Sequence, residues 1–562
     1  GSDHIRAEML KPLSSVVAPL LSLLFTLCWQ WSLVPPLWRH AQVVPIFKKG
    51  DPSMPSNYRP ISLTSVLRKL LEFSLAPLLS RFSPPLDLAQ GGFRPHRSAL
   101  DQAMCLHELM HAYFLKHNHH PVVAFLDIKS AYDTVDRQVI WHALASSGTP
   151  LPLLSLLAHL FDDVTVSVLL SNHSSSPFSP ATGVLQGSVL SPHLYSVYIN
   201  SLPALLRSVA TPSTHSVLSS ASSPSSTPLN CLLFADDVAL FGSAASVQSM
   251  LSLSAEHSFS LGYRWNPTKC AVIDHPSASS PIRLSLYDIP LPAVDSFVYL
   301  GVPFCSRGVD SSAIVPSRSP GVLKVMGLLN HIGVNRNGFS LLLCSKIYAT
   351  FVRPKFEYGL AIAKLSPADT KALEKLQDRC LRLFVGGHAT SSTTVLKHMT
   401  DLPSMKFRCE VLSARFALRS LSLPPSCLLS LLIPSLRVSR LEVYLKSTPL
   451  YLAIPSPAPD SPAKFRSFLR SYRQNKFDVF LSTTEQVLIR ACRPLLGVDP
   501  VLFVPCSRTD RSRLVRWRLG WLPGRPEPCI CNRATTSRSH FLDCEAIPIS
   551  VCRDHPFCPH NQ

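Results

Sequence analysis

Acidic residues are scarce in this chain. Its 562 residues include 35 Asp and Glu against 54 Lys and Arg, which gives a formal net charge of +19. Such an excess of positive charge favours a polyanionic partner, and nucleic acid is the most common one. The hydrophobic fraction of 46% indicates a folded protein, and the length predicts two to four domains.

Runs without charge are rare as well, and one of them needs an explanation. Residues 12–38 carry no charged side chain, and a run of that length is long enough to cross a bilayer. It is interrupted by Gln30, several serines and three prolines, so a buried helix over about 20–27 is the preferred interpretation. No basic segment leads into a cleavage site, which argues against a signal peptide. No membrane partner is expected.

Closely spaced cysteines are also few. The sixteen cysteines are spread thinly, and most stand singly in apolar runs, as do Cys28, Cys231 and Cys344. This distribution predicts buried free thiols and a reducing compartment, not a disulfide framework.

The end of the chain is the exception, because it clusters Cys with His. Four side chains form the pattern C-x-C-x8-H-x3-C, namely Cys529, Cys531, His540 and Cys544. Four soft ligands so close together suit tetrahedral zinc, although loose thiols remain the alternative. Further possible ligands follow at Cys552, His555, Cys558 and His560.

Three carboxylates could carry chemistry. Asp127 closes an apolar strand predicted over 122–128, and Asp236 and Asp237 lie between two short apolar strands within 231–241. A hairpin turn alone could explain the pair, since Asp tolerates left-handed backbone. Asp127 is harder to explain, because a carboxylate ending an apolar strand is costly unless it is paired or bound.

If the strand and the hairpin share one antiparallel sheet, the three carboxylates converge. Two Mg²⁺ ions about 3.5–4 Å apart would then offset their charge, and oxygen ligands suit Mg²⁺. By spacing alone, this interpretation and ordinary turn or cap roles stay equally open.

Two other segments carry expectations. Residues 208–229 are rich in Ser, Thr and Pro and are predicted to form a flexible insertion, not a packed element. Beyond residue 320 the pattern is helical. Leu373, Leu376, Cys380 and Phe384 recur at helical spacing, and the charges between them are expected to form a solvated face.

A series of short segments resembles, in order, the motifs of reverse transcriptases, specifically those of LINE-type (non-LTR) retrotransposons. The segments are 1–11 and the finger motifs 44–51, 57–63 and 90–94 with Arg97 and Ser98; the palm motifs 125–136, 186–192, 234–237, 266–270 and 299–301; and the thumb-like segment 347–359 with the helix around Leu376. The resemblance covers roughly residues 1–305 and extends into the thumb.

The resemblance implies an α+β right-hand polymerase with fingers, a palm built on an antiparallel sheet, and a helical thumb. The expected domains are an N-terminal extension with fingers over 1–121, a palm over 122–305 with the insertion 208–229, a thumb over 306–400, a helical C-terminal region over 401–528, and a small zinc-knuckle-like end over 529–562. It also implies that the chain is a fragment of a longer element protein, whose endonuclease lies elsewhere.

The implied activity is RNA-directed DNA polymerisation, in which Asp127, Asp236 and Asp237 ligate two Mg²⁺ ions. The implied partners are template RNA, primer or target DNA, and dNTPs. The expected mode is target-primed reverse transcription, with action in the nucleus and cytoplasmic synthesis as a ribonucleoprotein. A catalytically inactive nucleic-acid-binding relic and an intron-maturase-like RNA-binding protein are the alternatives.

The resemblance also assigns nucleotide-binding roles. Arg94 would grip the triphosphate, since a guanidinium can clamp phosphate bidentately. Tyr132 would close the sugar pocket against a 2′-hydroxyl, with core packing as the alternative. Gln186 and Gly187 would line the nucleotide pocket. Lys269 would assist the departing pyrophosphate or form a structural salt bridge.

Nucleic-acid contacts are expected at both ends of the chain. Basic residues beside an aromatic ring suit single strands. The candidates are Lys48, Lys49 and Arg59 near the beginning, and Arg516, Trp517 and Arg518 near the end. One departure from the LINE pattern is Asn200-Ser201, where those proteins usually have Asn-Asp.

Overall fold

The structure is a computed structural model of the chain. It describes residues 3–171, 173–211, 214–218, 226–274, 283–386, 391–459, 461–520 and 528–533, with residues 535, 540, 544 and 546. Helices and strands are both abundant, which confirms the α+β expectation.

The helices and strands are named here in chain order. The α-helices are α1 Ala7–Leu10, α2 Ser14–Trp31, α3 Val66–Phe82, α4 Ala99–His117, α5 Arg137–Ser146, α6 Leu151–Phe161, α7 Ser191–Tyr198, α8 Ser201–Leu206, α9 Ala244–Leu261, α10 Ser311–His331, α11 Leu341–Ile347, α12 Arg353–Glu357, α13 Pro367–Val385, α14 Thr393–Met399, α15 Met405–Leu421, α16 Leu428–Ser435, α17 Pro449–Leu452, α18 Pro462–Thr483, α19 Val487–Arg490 and α20 Arg508–Arg518. The strands are β1 His40–Phe47, β2 Tyr58–Leu63, β3 Val122–Leu126, β4 Thr165–Leu170, β5 His173–Ser174, β6 Ser216–Leu218, β7 Ser226–Pro228, β8 Cys231–Phe234, β9 Asp237–Gly242, β10 Ala271–Ile273, β11 Ser285–Leu286, β12 Ile289–Pro290, β13 Ser296–Tyr299, β14 Val302–Cys305 and β15 Gly308–Val309. Single turns of 3-10 or π type cover Lys11–Leu13, Pro36–Trp38, Pro55–Asn57, Arg207–Val209, Tyr348–Val352, Leu441–Leu445 and Pro500–Leu502.

The described residues form two compact units. The first unit draws on Gly1–Leu300, Phe304–Val309 and Ser420–Ser439. The second draws on Gly301–Pro303, Asp310–Arg419 and Arg440–Gln562. Residues 420–439, which the sequence placed in the C-terminal region, therefore fold with the first unit.

The centre of the first unit is a four-stranded sheet of order β10-β3-β9-β8, here called the aspartate sheet. Every residue of β3 is buried, as expected for a short apolar strand that is covered on both faces. β9 pairs antiparallel with both β3 and β8. The strand and the hairpin predicted over 122–128 and 231–241 are thus confirmed, and they share one sheet.

A second sheet of the first unit has the order β2-β1-β4-β5. β1 pairs antiparallel with β2 and parallel with β4. The antiparallel pairing places Arg59 opposite Ile46, and Lys48 follows the end of β1. This sheet therefore carries the basic residues predicted near the beginning of the chain.

The apolar segment near the beginning is helical, but the prediction that it is buried was wrong. Only Cys28 of α2 is buried, whereas Leu20 and Leu23 are 63% and 60% exposed. One face of α2, including Leu24 and Phe25, packs against the core of the first unit, and the opposite face stays open. Helical periodicity gave the element, but it could not tell which of two apolar faces would be covered. By length and composition alone, Ala7–Trp31 is the one described segment able to cross a bilayer, and a single such helix is weak evidence for a span.

The Ser-, Thr- and Pro-rich segment also differs from its prediction. β6 and β7 pair as an antiparallel ladder, and Val217 and Leu229 are each only 1% exposed. β6 packs against α16, and His215 hydrogen-bonds the Ser435 hydroxyl at 2.9 Å. The ends of this segment are therefore a packed element. Residues 219–225 lie outside the described residues.

The second unit is helical. In α13, Leu373, Leu376, Cys380 and Phe384 are all buried, which confirms the amphipathic helix. The charged face of α13 was expected to be solvated, but part of it forms ion pairs within the second unit, because Lys397 pairs with Glu374 and Asp378.

Candidate functional site

The three candidate carboxylates lie at the same end of the aspartate sheet. Leu126 pairs with Val238, so Asp127 leaves β3 beside the start of β9, where Asp237 lies. Phe234 pairs with Asp237 across the two-residue turn of the β8–β9 hairpin, which carries Asp236 at its tip. The register of two non-local strand pairings therefore brings Asp127, Asp236 and Asp237 together.

The surroundings of these carboxylates oppose uncompensated charge. Burial raises the pKa of Asp236, and Asp127 adds to the effect. Burial, Asp236 and Asp127 raise the pKa of Asp237 to about 6. The Asp127 Oδ2 atom is buried without a hydrogen-bond partner among the described residues. Oxygen donors of this kind fit divalent cations such as Mg²⁺.

Basic side chains approach the carboxylates from two directions. The charges of Arg59 and Lys48 lower the pKa of Asp236, which opposes the larger effect of burial. The Lys269 Nζ atom lies 3.5 Å from Asp127 Oδ2, and its side chain is 66% exposed. The structure thus brings three predicted basic residues to the acidic cluster, whereas Lys49 is simply exposed after β1.

Gln90, which was not predicted as a site residue, holds the turn that carries Asp236. Ala235 has a φ of +60°, a conformation that costs an L-residue about 1–2 kcal/mol. Its N–H donates to Gln90 Oε1 at 3.0 Å, and the same oxygen accepts from Gly92 N at 2.8 Å. Gln90 is only 1% exposed. A buried glutamine before two glycines was the available sequence signal.

The close approach of this loop to the hairpin requires a glycine. A Cβ on Gly92 would lie 2.3 Å from the main-chain nitrogen of Ala235. The loop and the turn are therefore packed main chain against main chain, with Gln90 bridging them.

Tyr132 lies in an aromatic group beside the carboxylates. Its ring stacks on Tyr195 with centroids 5.3 Å apart and packs edge-on against Phe93 at 6.5 Å. Burial, together with the charge of Asp236, raises the pKa of Tyr132. Phe93 is 47% exposed and was not predicted as a site residue, although it lies within the finger motif 90–94.

Gln186 and Gly187 contact the strand β2. The Gln186 carbonyl oxygen accepts a hydrogen bond from Ser62 N at 2.8 Å. Burial raises the pKa of Asp133, and the nearby Gln186 side chain opposes this effect. Gly187 has a φ of +148°, and a Cβ there would lie 2.2 Å from the Ser62 carbonyl oxygen. This position therefore requires glycine.

Arg94 hydrogen-bonds the main chain of its own loop. Its Nη1 atom donates to the main-chain oxygens of Leu86, Asp87 and Gln90 at 3.3, 2.7 and 3.2 Å. Burial is the main cause that lowers the pKa of Arg94, to about 10. These contacts make Arg94 a support of the loop that holds Gln90, and its contact with a triphosphate stays a prediction.

The departure at Asn200-Ser201 has a defined environment. The Ser201 hydroxyl is 2.8 Å from His257 Nε2, and His257 Nδ1 is 2.9 Å from the Tyr263 hydroxyl. Burial lowers the pKa of His257 to about 4. Ser201 is thus the neutral partner of a neutral histidine.

The predicted zinc ligands are brought together in space. The sulfur atoms of Cys529 and Cys544 are 3.6 Å apart, and Cys531 Sγ lies 3.2 Å from His540 Nε2. This is the one group of such side chains in the described residues whose ligand atoms all lie within 4.8 Å of one another. Tetrahedral zinc with Zn–S bonds of about 2.3 Å separates its sulfur ligands by about 3.8 Å, so the residues fit zinc. The alternative ligands Cys552, His555, Cys558 and His560 lie outside the described residues.

The basic segment near the end divides into exposed and buried parts. Arg516 is exposed on α20 and Trp517 is partly buried. Arg518 is only 7% exposed, and its Nε atom lies 3.9 Å from the Asp499 carboxylate. Arg518 is therefore part of the folded interior. Of the three predicted residues, Arg516 is the one whose charged side chain is exposed for contact with a ligand.

The chain matches one known protein family and is similar to several curated proteins. Residues 46–304 match the model of the family described as reverse transcriptase (RNA-dependent DNA polymerase). The chain is 28% identical over 323 residues to the Retrovirus-related Pol polyprotein from the type-2 retrotransposable element R2DM of Drosophila melanogaster, which covers 55% of this chain and 29% of that protein. It is 23% identical over 438 residues to the RNA-directed DNA polymerase from the mobile element jockey of the same fly, covering 74% and 45%.

The chain spans less than half the length of these curated relatives. Among solved structures, apo telomerase from Candida tropicalis is 12% identical with a TM-score of 0.36, and the match covers 72% of each chain. A similarity with so low a TM-score does not support a conclusion about the function of this chain. Residues 46–304 thus match the reverse transcriptase family, and the relatives to which the chain is similar are polymerases of retrotransposable elements in the non-LTR (LINE-type) group.

Proposed function

We propose that this chain is an RNA-directed DNA polymerase of a LINE-type element, which extends a primer 3′-end with dNTPs on an RNA template. The observation that carries the proposal is the convergence of Asp127, Asp236 and Asp237 at one end of the aspartate sheet. The raised pKa values of Asp236 and Asp237 favour compensation by bound cations, and so does the buried Asp127 Oδ2 atom, which accepts no hydrogen bond from the described residues.

Asp127, Asp236 and Asp237 would hold two Mg²⁺ ions, which when bound offset the charge of the transferring phosphoryl group. In the transfer, a bond forms between the primer 3′-oxygen and the α-phosphorus of the dNTP, and pyrophosphate leaves. Lys269 pairs with Asp127 in this structure and would assist the leaving pyrophosphate. The other residues of the site position the reactants, which is the protein's main task in such reactions.

Substrate selection is assigned to the aromatic group. Tyr132 is fixed between Tyr195 and Phe93, and a fixed ring can exclude a ribose 2′-hydroxyl by steric contact. Gln186 and Gly187 would shape the opposite side of the nucleotide pocket. The partners in this proposal are template RNA, primer or target DNA, and dNTPs.

The test is primer extension on an RNA template with dNTPs and Mg²⁺. Asp236→Ala is expected to abolish extension. Asp288→Ala is the matched control, because Asp288 also stands in a hairpin turn, between β11 and β12, away from the aspartate sheet. Equal activity of wild type and Asp236→Ala would refute the metal site. RNA binding without extension by the wild type would favour a catalytically inactive relic.

We propose that zinc stabilises the Cys/His end, held by Cys529, Cys531, His540 and Cys544. Bound zinc measured by elemental analysis should fall in Cys529→Ser and remain in Cys305→Ser, whose cysteine lies outside the cluster. Nucleic-acid binding should fall in parallel, more than extension of a preformed primer–template. Equal loss of binding and extension would contradict a separate binding role for this end.

The domain and cellular assignments belong to the same proposal. We assign the fingers, palm and thumb to residues 1–121, 122–305 and 306–400, with 420–439 added to the first unit. Target-primed synthesis on chromosomal DNA would require the nucleus, after cytoplasmic assembly with RNA. Imaging of a fluorescent fusion would test this, and retention outside the nucleus would contradict it.

A further inference from the structure

The second unit contains a cavity of about 560 Å³ that the polymerase site does not use. Its walls come from the loop between α10 and α11, from the end of α13, and from one face of α20. Cavities of a few hundred cubic ångströms are the size that binds small organic groups.

Glycines allow the loop to shape this cavity. Phe339 N donates to the Gly333 carbonyl oxygen at 2.7 Å, and a Cβ on Gly338 would lie 2.1 Å from that oxygen. Gly386 ends α13 with a φ of +70°, and a Cβ there would lie 2.6 Å from Arg336 Cδ. The Arg336 stem therefore rests on Gly386.

The charge of the lining is of one sign. Three arginines line the cavity, Arg336, Arg511 and Arg516, and none of the described residues in its lining is acidic. Arg511 donates from Nη2 to the Val504 carbonyl oxygen at 2.7 Å, and its Nε atom is buried without a partner among the described residues. An anion would satisfy such donors.

A buried hydroxyl supplies an independent observation. Ser391 is 2% exposed and lines the cavity, yet no described residue hydrogen-bonds its Oγ atom. Leaving a buried polar atom unpaired is unfavourable, so its presence on this wall points to a ligand that supplies the missing hydrogen bond.

Part of the lining is apolar. The exposed ring of Phe339 and the buried ring of Phe384 both contribute. A free phosphate ion would leave this apolar surface unused, whereas a nucleotide joins an anion to a flat ring that stacks on aromatic side chains.

We propose that this cavity binds one nucleotide unit of a single-stranded nucleic acid. The phosphate lies among Arg511, Arg516 and the Ser391 hydroxyl, and the base packs against Phe339. The assignment rests on the proposed function, because it gives the polymerase a second hold on its strand outside the aspartate sheet.

The first test measures binding of a short fluorescent oligouridylate to the full chain by anisotropy, across a range of salt concentrations. Arg516→Ala should weaken binding several-fold and lower the slope of log K against log salt by about 0.7, the value for one phosphate contact on a single strand. Arg513→Ala is the matched control, because Arg513 is an exposed arginine of α20 outside the cavity and pairs with Asp510. Equal loss in both variants would overturn the proposal.

The second test uses Ser391→Ala, which separates a binding role from a structural one. Removing an unpaired buried hydroxyl should leave the melting temperature unchanged or higher while the oligonucleotide binds more weakly. A lower melting temperature with unchanged binding would assign the hydroxyl to the fold and overturn its role here. Competition by inorganic phosphate as effective as that by unlabelled oligouridylate would reduce the site to simple anion binding and also overturn the proposal.

Failure of this inference is distinguishable from failure of the proposed function. Asp236→Ala should bind oligouridylate as the wild type does while losing extension. Arg516→Ala should bind it less well, whether or not the wild type extends a primer. If the protein does not extend a primer but its binding of oligouridylate still depends on Arg516, the assignment of the cavity stands and the proposed polymerase function fails.

Discussion

Replacing Gln90 tests whether the turn that carries Asp236 must be fixed from outside the aspartate sheet. Gln90→Leu keeps much of the side-chain volume but removes the oxygen that accepts from Gly92 N and Ala235 N. Each buried N–H left without a partner costs about 1–3 kcal/mol, so we expect the loss of two such bonds to lower the free energy of unfolding by roughly 2–6 kcal/mol. The turn should also gain freedom at Asp236.

The activity of the variant should fall further than its stability alone requires. Measured at a temperature where the variant is folded, kcat for primer extension should fall at least about tenfold, a loss of about 1.4 kcal/mol in transition-state stabilisation. KM for the dNTP should change little, because Gln90 is buried and does not reach the solvent-facing pocket.

Gln102→Leu is the matched control. Gln102 is a second buried glutamine of the same unit, and its Nε2 atom donates to the main-chain oxygens of Ala89 and Leu233 at 2.8 and 2.9 Å, not to the turn. It should lose comparable stability and keep its turnover when folded. If Gln90→Leu turns over as fast as Gln102→Leu, the positioning role of Gln90 is wrong.

Three further outcomes follow from the structure. The pKa of His257 is about 4 against an ordinary 6.5, so this histidine stays neutral in the folded protein. The free energy of unfolding should therefore decrease by up to about 3 kcal/mol as pH falls from about 6.5 to 4. Urea unfolding of His257→Gln should show a flatter pH dependence, and an unchanged profile would contradict the assignment. Gly187→Ala should destabilise the fold by about 1–3 kcal/mol and abolish primer extension, because the added Cβ would meet a main-chain oxygen. Gly148 also has a positive φ, but a Cβ there would meet open space. Gly148→Ala should therefore add only backbone strain and keep activity. Leu20→Gln on the open face of α2 should change stability by no more than about 0.5 kcal/mol, while Leu24→Gln on the packed face should lower it by more, and equal effects would mean that the face is covered in solution.

Local pattern was sufficient for several elements. The apolar run before Asp127 and the two short runs around Asp236 and Asp237 gave β3 and the β8–β9 hairpin, because strand length and turn chemistry are local properties. The spacing of apolar residues gave α13 in the same way. The cysteines in apolar runs were also correctly expected to be free and buried, as Cys28, Cys231 and Cys344 are.

Other features depended on which residues met in space. The sequence left a turn and a metal site equally open for Asp236 and Asp237, and the pairing of β9 with β3 brought them to Asp127. It could not reveal that Gln90 bridges to the turn, or that Arg94 is used by main-chain oxygens, because those contacts join distant or irregular segments.

The sequence by itself thus indicated β3, the β8–β9 hairpin and α13, and it singled out the three carboxylates and the four Cys/His side chains that the fold brings together. The tertiary structure decided which polar and apolar side chains are covered: it buried Arg518 beside Asp499, packed the segment around Val217, and left one face of α2 open. The physical reason is that periodicity and turn propensity act over a few residues, whereas burial and the partners of a charge depend on surfaces that come together only when the chain folds.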